Sequence, residues 1–232
     1  MVGKALASEI SSVAVLGDPI RRRLYEFVVD QTEPVSRDMA AFGVEIARHV
    51  AKFHLDKLEE EGLLEAEYRR PTGKTGPGAG RPTKYYRRSS REISVSLPER
   101  HYDLAARLLA QAITTSQTGD LSVTAALEKS AVNFGQFMAQ EVQGKLDHGS
   151  GRTHVADAIS EVLGDHGYEP LKEEGRLILA NCPFHSLAKE YTALICGINH
   201  NLLNALIAEI PHSFKADLQP APGRCCVTLN EI

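Results

Sequence analysis

Six of the eleven residues in TGKTGPGAGRP, residues 72–82, are glycine or proline. Proline lacks the backbone donor a helix needs, and glycine loses the most entropy on ordering, so no helix runs through this stretch. On either side lie LLEAEYRRP and TKYYRRS, short runs of strand-forming residues. The chain must therefore go out and return here as an antiparallel pair around a long connector, and whatever precedes it has to pack against that pair.

What precedes it is helical. Asp18 followed by Pro19 starts a helix, the carboxylate as cap and the proline where its missing N–H is not needed. Ile20, Leu24, Phe27 and Val28 then fall on one face, with the arginines at 21–23 turned outward. The run EPVS at 33–36 interrupts the pattern, and Ser36 is placed to cap a short helix reaching Phe42. After a turn at 43–45, residues 47–62 set Ala47, Ala51, Leu55 and Leu58 inward and close at Gly62. Helix, helix, turn, helix and strand pair is the order of a winged helix-turn-helix, and the strand pair sets it apart from a plain helical bundle.

Further helices are expected over 97–113, with Tyr102, Ala105, Leu108, Leu109 and Ala112 at helical spacing, over 122–142, and near 154–163. A hairpin follows (168–172 with 176–180), and a strand pair ends in PAPGRCCVTLNEI. The expected class is α+β in three parts. Residues 1–95 form the winged helix-turn-helix, 96–150 a helical linker and dimerisation region, and 151–232 an α+β sensor domain that contains the cysteines.

Composition limits the partners. A chain of 232 residues, 43% hydrophobic and 24% charged, has room for two modest domains and is not globally disordered. No apolar run approaches the ~20 residues of a membrane helix, and MVGKALASEISSVAVLG is too polar for a secretion signal, so a cytoplasmic protein without membrane contact is expected. The net charge of −4 is unevenly spread: residues 1–91 hold 16 Lys and Arg against 13 Asp and Glu. From Tyr68 to Arg91 lie Arg69, Arg70, Lys74, Arg81, Lys84, Arg87, Arg88 and Arg91 with no acidic residue among them. This is a local positive stripe on an acidic chain, expected to meet a phosphate backbone unless it is simply a solvated run of charge.

With Ala51, Leu55 and Leu58 inward, the third helix presents Arg48, His49, Lys52 and Phe53 outward, where Arg48 can reach guanine O6 and N7 and Lys52 either a base or a phosphate. Arg69, Arg70, Arg81 and Lys84 belong to the strand pair and its connector, and Arg81, between Gly80 and Pro82, is slim enough to enter a narrow minor groove. Double-stranded DNA, met by a homodimer, is the expected partner.

The run FHLDKLEEEGLL followed by GAGRPTKYY resembles the ArsR-type winged-helix regulators that include the repressors of Suf (iron–sulfur assembly) operons, and the likeness resumes at NCPFH and CGIN. This sequence departs from that pattern at Glu45 and Ala47, where such regulators commonly carry a glycine turn and a serine cap. The resemblance implies a DNA-binding repressor whose C-terminal cysteines hold an iron–sulfur cluster.

Cys182 precedes Pro183 at an expected helix N-cap, where the dipole favours thiolate, with His185 three residues on. Cys196 follows Cys182 by fourteen residues, about 21 Å along one straight helix at 1.5 Å per residue, so a shared site needs a break, expected at Tyr191–Thr192. Neighbours on a strand face opposite ways, so one of Cys225 and Cys226 is expected to join them, Cys225 before Cys226. Three cysteines with His185 as fourth ligand satisfy zinc; three with another ligand serve the implied cluster; unliganded packed cysteines need neither. Ile210 stands about where some members of the resembled group have a further cysteine. A zinc-containing or small-ligand-sensing regulator is the alternative. A thiol enzyme with Cys182 as nucleophile and His185 as base is a remoter one, since the sequence has no substrate-binding signature; no enzyme is expected.

Overall fold

The described residues begin with a helix the sequence reading did not include, α1 (Lys4–Ala14), followed by one 3-10 turn over Val15–Gly17. The structure is a computed structural model describing residues 4–70, 82–119, 121–146, 152–210 and 214–232. Most of the glycine-rich connector, with Lys74 and Arg81, lies outside them.

Asp18 caps α2 (Pro19–Val29): its Oδ1 accepts from the N–H groups of Ile20 at 2.9 Å and Arg21 at 3.0 Å. Those two bonds, first of all the one from Arg21, hold the Asp18 carboxyl below the usual carboxylate range. Strand β1 (Val35–Ser36) leads into α3 (Arg37–Gly43), where Ser36 Oγ accepts from Met39 N–H at 3.2 Å. Helix α4 (Arg48–Glu60) ends before Gly62, whose φ of 76° turns the chain into β2 (Leu64–Arg69). β2 pairs antiparallel with β3 (Thr83–Arg88), from Leu64 opposite Arg88 to Arg69 opposite Thr83, and β1 adds to the other side of β3. Leu24, Val28, Val35, Ala40, Ala51, Leu55, Leu58 and Tyr86 fill the core between these helices and the three strands. Gly43 is held to a hydrogen by Phe27: a Cβ there would stand 2.0 Å from the ring.

The turn before α4 has two local defects. Glu45 sits at φ 56°, in the left-handed region, and Ala47 is an N-cap without a side-chain hydrogen bond. Glu45→Gly is expected to raise the unfolding free energy by about 0.5–1 kcal/mol, by relieving backbone strain. Ala47→Ser is expected to add about 1 kcal/mol by supplying the missing acceptor. Urea midpoints of the single variants measure both, and a lowered midpoint contradicts the corresponding reading.

Residues 96–232 form the second compact unit, apart from 2–95. It contains α5 (Tyr102–Thr118), α6 (Val123–Leu146) and α7 (Arg152–Asp165), then β4 (Pro170–Glu173) and β5 (Arg176–Leu179). The short α8 (His185–Glu190), the longer α9 (Thr192–Ala208), β6 (Phe214–Leu218) and β7 (Val227–Glu231) complete it. The four strands form an antiparallel sheet in the order β4-β5-β7-β6. Helices α5 and α6, which the sequence set apart as a linking region over 96–150, share one core with α7, α9 and the sheet, from Ala105 and Leu108 through Met138 and Leu202 to Leu229. The physical reason is the close crossing of α6 and α9, permitted by Gly135. The chain is thus mixed α and β. Among the described residues no helix is long and apolar enough to cross a membrane.

Candidate functional site

Two sets of residues carry chemistry, one in each unit. In the N-terminal unit the exposed strip of α4 is Arg48, His49, Lys52 and Phe53, continued by the half-buried Asp56. The outward placement follows from Ala51, Leu55 and Leu58, each fully buried on the opposite side. Arg48 is paired with Asp38 of α3, while His49 and Lys52 make no ion pair among the described residues. His54, next to Phe53, is buried, its Nδ1 without a hydrogen-bond partner, and is packed inside rather than offered to a ligand.

The strand pair holds its cations more tightly than its sequence suggests. Lys84 does not project from the hairpin: its Nζ lies 2.7 Å from Asp56 Oδ1, also bonds Glu59, and sits 5.0 Å from the centre of the Tyr86 ring. Tyr86 in turn donates to Asp56 at 2.6 Å. Burial opposes the charge on Lys84, but the bonds to Asp56 and Glu59 outweigh it and raise its pKa above the ordinary lysine value. Lys84 therefore pins β3 to α4 and is not free to meet a phosphate in this arrangement. Arg69 is paired with Glu67, reaches Glu33 at 3.5 Å and lies 5.8 Å from the Tyr85 ring centre. Arg70 and Arg88 are exposed and make no ion pair among the described residues. Arg81 falls in the undescribed connector.

The second set is the thiols. Four free cysteines come from three places: Cys182 from the loop after β5, Cys196 from the opening turns of α9, and Cys225 and Cys226 from the approach to β7. The helix break expected at Tyr191 is present, its φ of −123° and ψ of 51° separating α8 from α9. Cys182 and Cys225 are buried, Cys196 and Cys226 partly so. The four thiols are coupled in a row through their ionisation, Cys182 with Cys225, Cys225 with Cys226, and Cys226 with Cys196.

Three expectations change here. Cys226 joins the row beside Cys225, because both precede β7, and the backbone bends at Cys226, so the alternation of a strand does not apply to them. Cys182 is not an N-cap; α8 begins at His185 with Phe184 in that place. Its pKa is raised, not lowered, first by its bond to Cys225 and then by burial. Finally, His185 makes no contact with the sulfurs among the described residues; burial, Lys189 and Arg100 push its pKa down. Cys182 thus has no base beside it.

Residues not singled out from sequence surround the row. Tyr168 O–H donates to Asn199 Oδ1 at 2.6 Å, and Asn199 Nδ2 donates to Cys225 Sγ at 3.1 Å. Arg100 donates to the Cys182 carbonyl at 3.1 Å and bonds Asn181 Oδ1, and its charge favours ionisation of Cys182. Asn199 belongs to the CGIN run; Tyr168 and Arg100 carry no local signal. Cys225 accepts from Cys182, which lowers its pKa, but its bond to Cys226 and its burial carry it up to about 11. Burial likewise raises Cys196. Among the described residues no three His, Cys, Asp or Glu side chains are close enough together to hold a metal ion. The four thiols are thiophilic donors by chemistry, and Asn199 donates to one of them, but in this arrangement they do not form a metal-holding set.

No protein-family model matches the chain, and no curated protein matches it. Among solved structures, human N-acetylserotonin methyltransferase in complex with SAM is similar at 15% identity, over 66% of this chain and 53% of that one, with a TM-score of 0.25. The chain spans about half of that structure's length, and a likeness this low carries no argument about fold or activity.

Proposed function

We propose that this chain is a DNA-binding transcriptional regulator, a homodimeric repressor with a winged helix-turn-helix over residues 1–95. The observation that carries the reading is the α3–turn–α4 arrangement beside the β2–β3 pair, with His49, Lys52 and Phe53 turned outward and Arg69 and Arg70 at the connector end. A helix of this kind fits a major groove, and a basic strand pair beside it meets phosphates. Exposed Ile113, Val132 and Phe137 on α5 and α6 support association through those helices.

The thiol row supports a sensor role. Cys182, Cys196, Cys225 and Cys226 would hold an iron–sulfur cluster, which supplies a redox-labile centre when bound. This chain's own part is to neutralise and orient the thiolates. Arg100 offsets their charge, Asn199 donates to Cys225, and the main-chain N–H groups of Phe184 and Val227 donate to Cys182 and Cys225. Anaerobic purification of the full chain, followed by an absorption spectrum, metal and sulfide analysis and a duplex-binding assay, tests both halves. A brown protein with iron and sulfide that binds duplex DNA is expected. Colourless protein with stoichiometric zinc replaces the cluster by zinc, and metal-free protein removes the sensor role while leaving DNA binding to stand or fall separately.

A further inference from the structure

Phe53 is a large apolar residue on a strip of α4 that is otherwise polar. Both ends of the exposed α4 strip are engaged, Arg48 with Asp38 and Asp56 with Lys84 and Tyr86. Between them, beside Lys52, stands a phenyl ring 68% exposed, whose edge contact is with His54 at 5.2 Å between ring centres. The core of this unit closes without it, since Ala51, Leu55 and Leu58 on the inner face are at 0% exposure. Folding does not require an apolar group at 53, so the ring is available to a ligand that presents an apolar patch.

We infer that Phe53 reads thymine. On the floor of the major groove the C5 methyl of thymine is the one apolar group, and cytosine has a hydrogen in its place. A phenyl ring has neither donor nor acceptor for a base edge, so it is blind to guanine O6 and N7 and selects by covering that methyl. His49 and Lys52, on the same strip and without ion pairs, supply donors on either side of it. The inference rests on the DNA-binding reading above and adds the base that α4 selects.

The test enriches duplexes from a random pool on the full-length protein and resynthesises them with deoxyuridine, which lacks the C5 methyl, replacing one thymidine at a time. At one thymine per half-site the wild type is expected to lose about fourfold in affinity, the worth of one buried methyl. Phe53→Ala, its fold checked by circular dichroism, is expected to bind more weakly and show no difference between thymine and uracil there, with Phe53→Leu between the two. An equal uracil response in wild type and Phe53→Ala, or none in either, overturns the inference and leaves DNA binding intact. An unchanged uracil response together with lost self-association in Phe53→Ala overturns it in favour of a protein contact. A pool with no enriched duplex overturns the DNA reading and this inference together.

Discussion

Gly135→Val is expected to lower the unfolding free energy by about 3 kcal/mol, the upper range for overpacking a closed interior. The first added carbon would stand 2.1 Å from the Leu202 carbonyl oxygen and 2.9 Å from Ala205 Cβ, far inside contact distance. The near neighbour is α9 backbone, so no rotamer change relieves the clash; α6 and α9 must separate, with α9 taking Cys196 and Asn199 along. Gly144, on the same helix, has nothing within 4 Å of its Cβ position. There Gly144→Ala is expected to stabilise by about 1 kcal/mol, the ordinary helix preference for alanine. Urea unfolding of the two variants therefore reads opposite signs from one helix, and a Gly135→Val midpoint at or above wild type would contradict the close crossing.

Affinity for duplex DNA is expected to fall by about 10³ to 10⁵ between 50 and 200 mM salt if a dimer neutralises six to ten phosphates. The ion pairs indicate which cations contribute. Arg70 and Arg88 make no ion pair among the described residues, and Lys52 makes none either, lying only within electrostatic reach of Asp56; on the DNA-binding reading these three are the cations expected to release counterions. Arg48 and Arg69 must first leave Asp38 and Glu67, and Lys84 is held by both Asp56 and Glu59. Lys52→Ala and Arg70→Ala should each flatten the slope of log affinity against log salt, while Lys84→Met should act on stability instead. Fluorescence anisotropy over a salt series measures all three. A salt-independent affinity, or a slope most sensitive to Lys84, would refute this division of roles.

The elements that were legible in the sequence are those decided within one or two turns of chain. Asp18 and Ser36 cap the helices they precede, Gly62 closes α4, and the break at Tyr191 falls where two cysteines on one helix face would otherwise be too far apart. The departures at Glu45 and Ala47 were equally visible as residues. Their consequence, a left-handed glutamate and an uncapped helix, is local too.

Sequence alone determined the caps at Asp18 and Ser36, which face of α4 is apolar, and that the helical stretch between Cys182 and Cys196 is broken at Tyr191, because caps, periodicity and backbone chemistry act between near neighbours. Tertiary structure alone decided that Lys84 pairs with Asp56, twenty-eight residues away, and that Cys226 interacts with Cys225. Those outcomes depend on which surfaces packing brings together, and on how burial and neighbouring charge set the protonation of each group, neither of which is written in residue spacing.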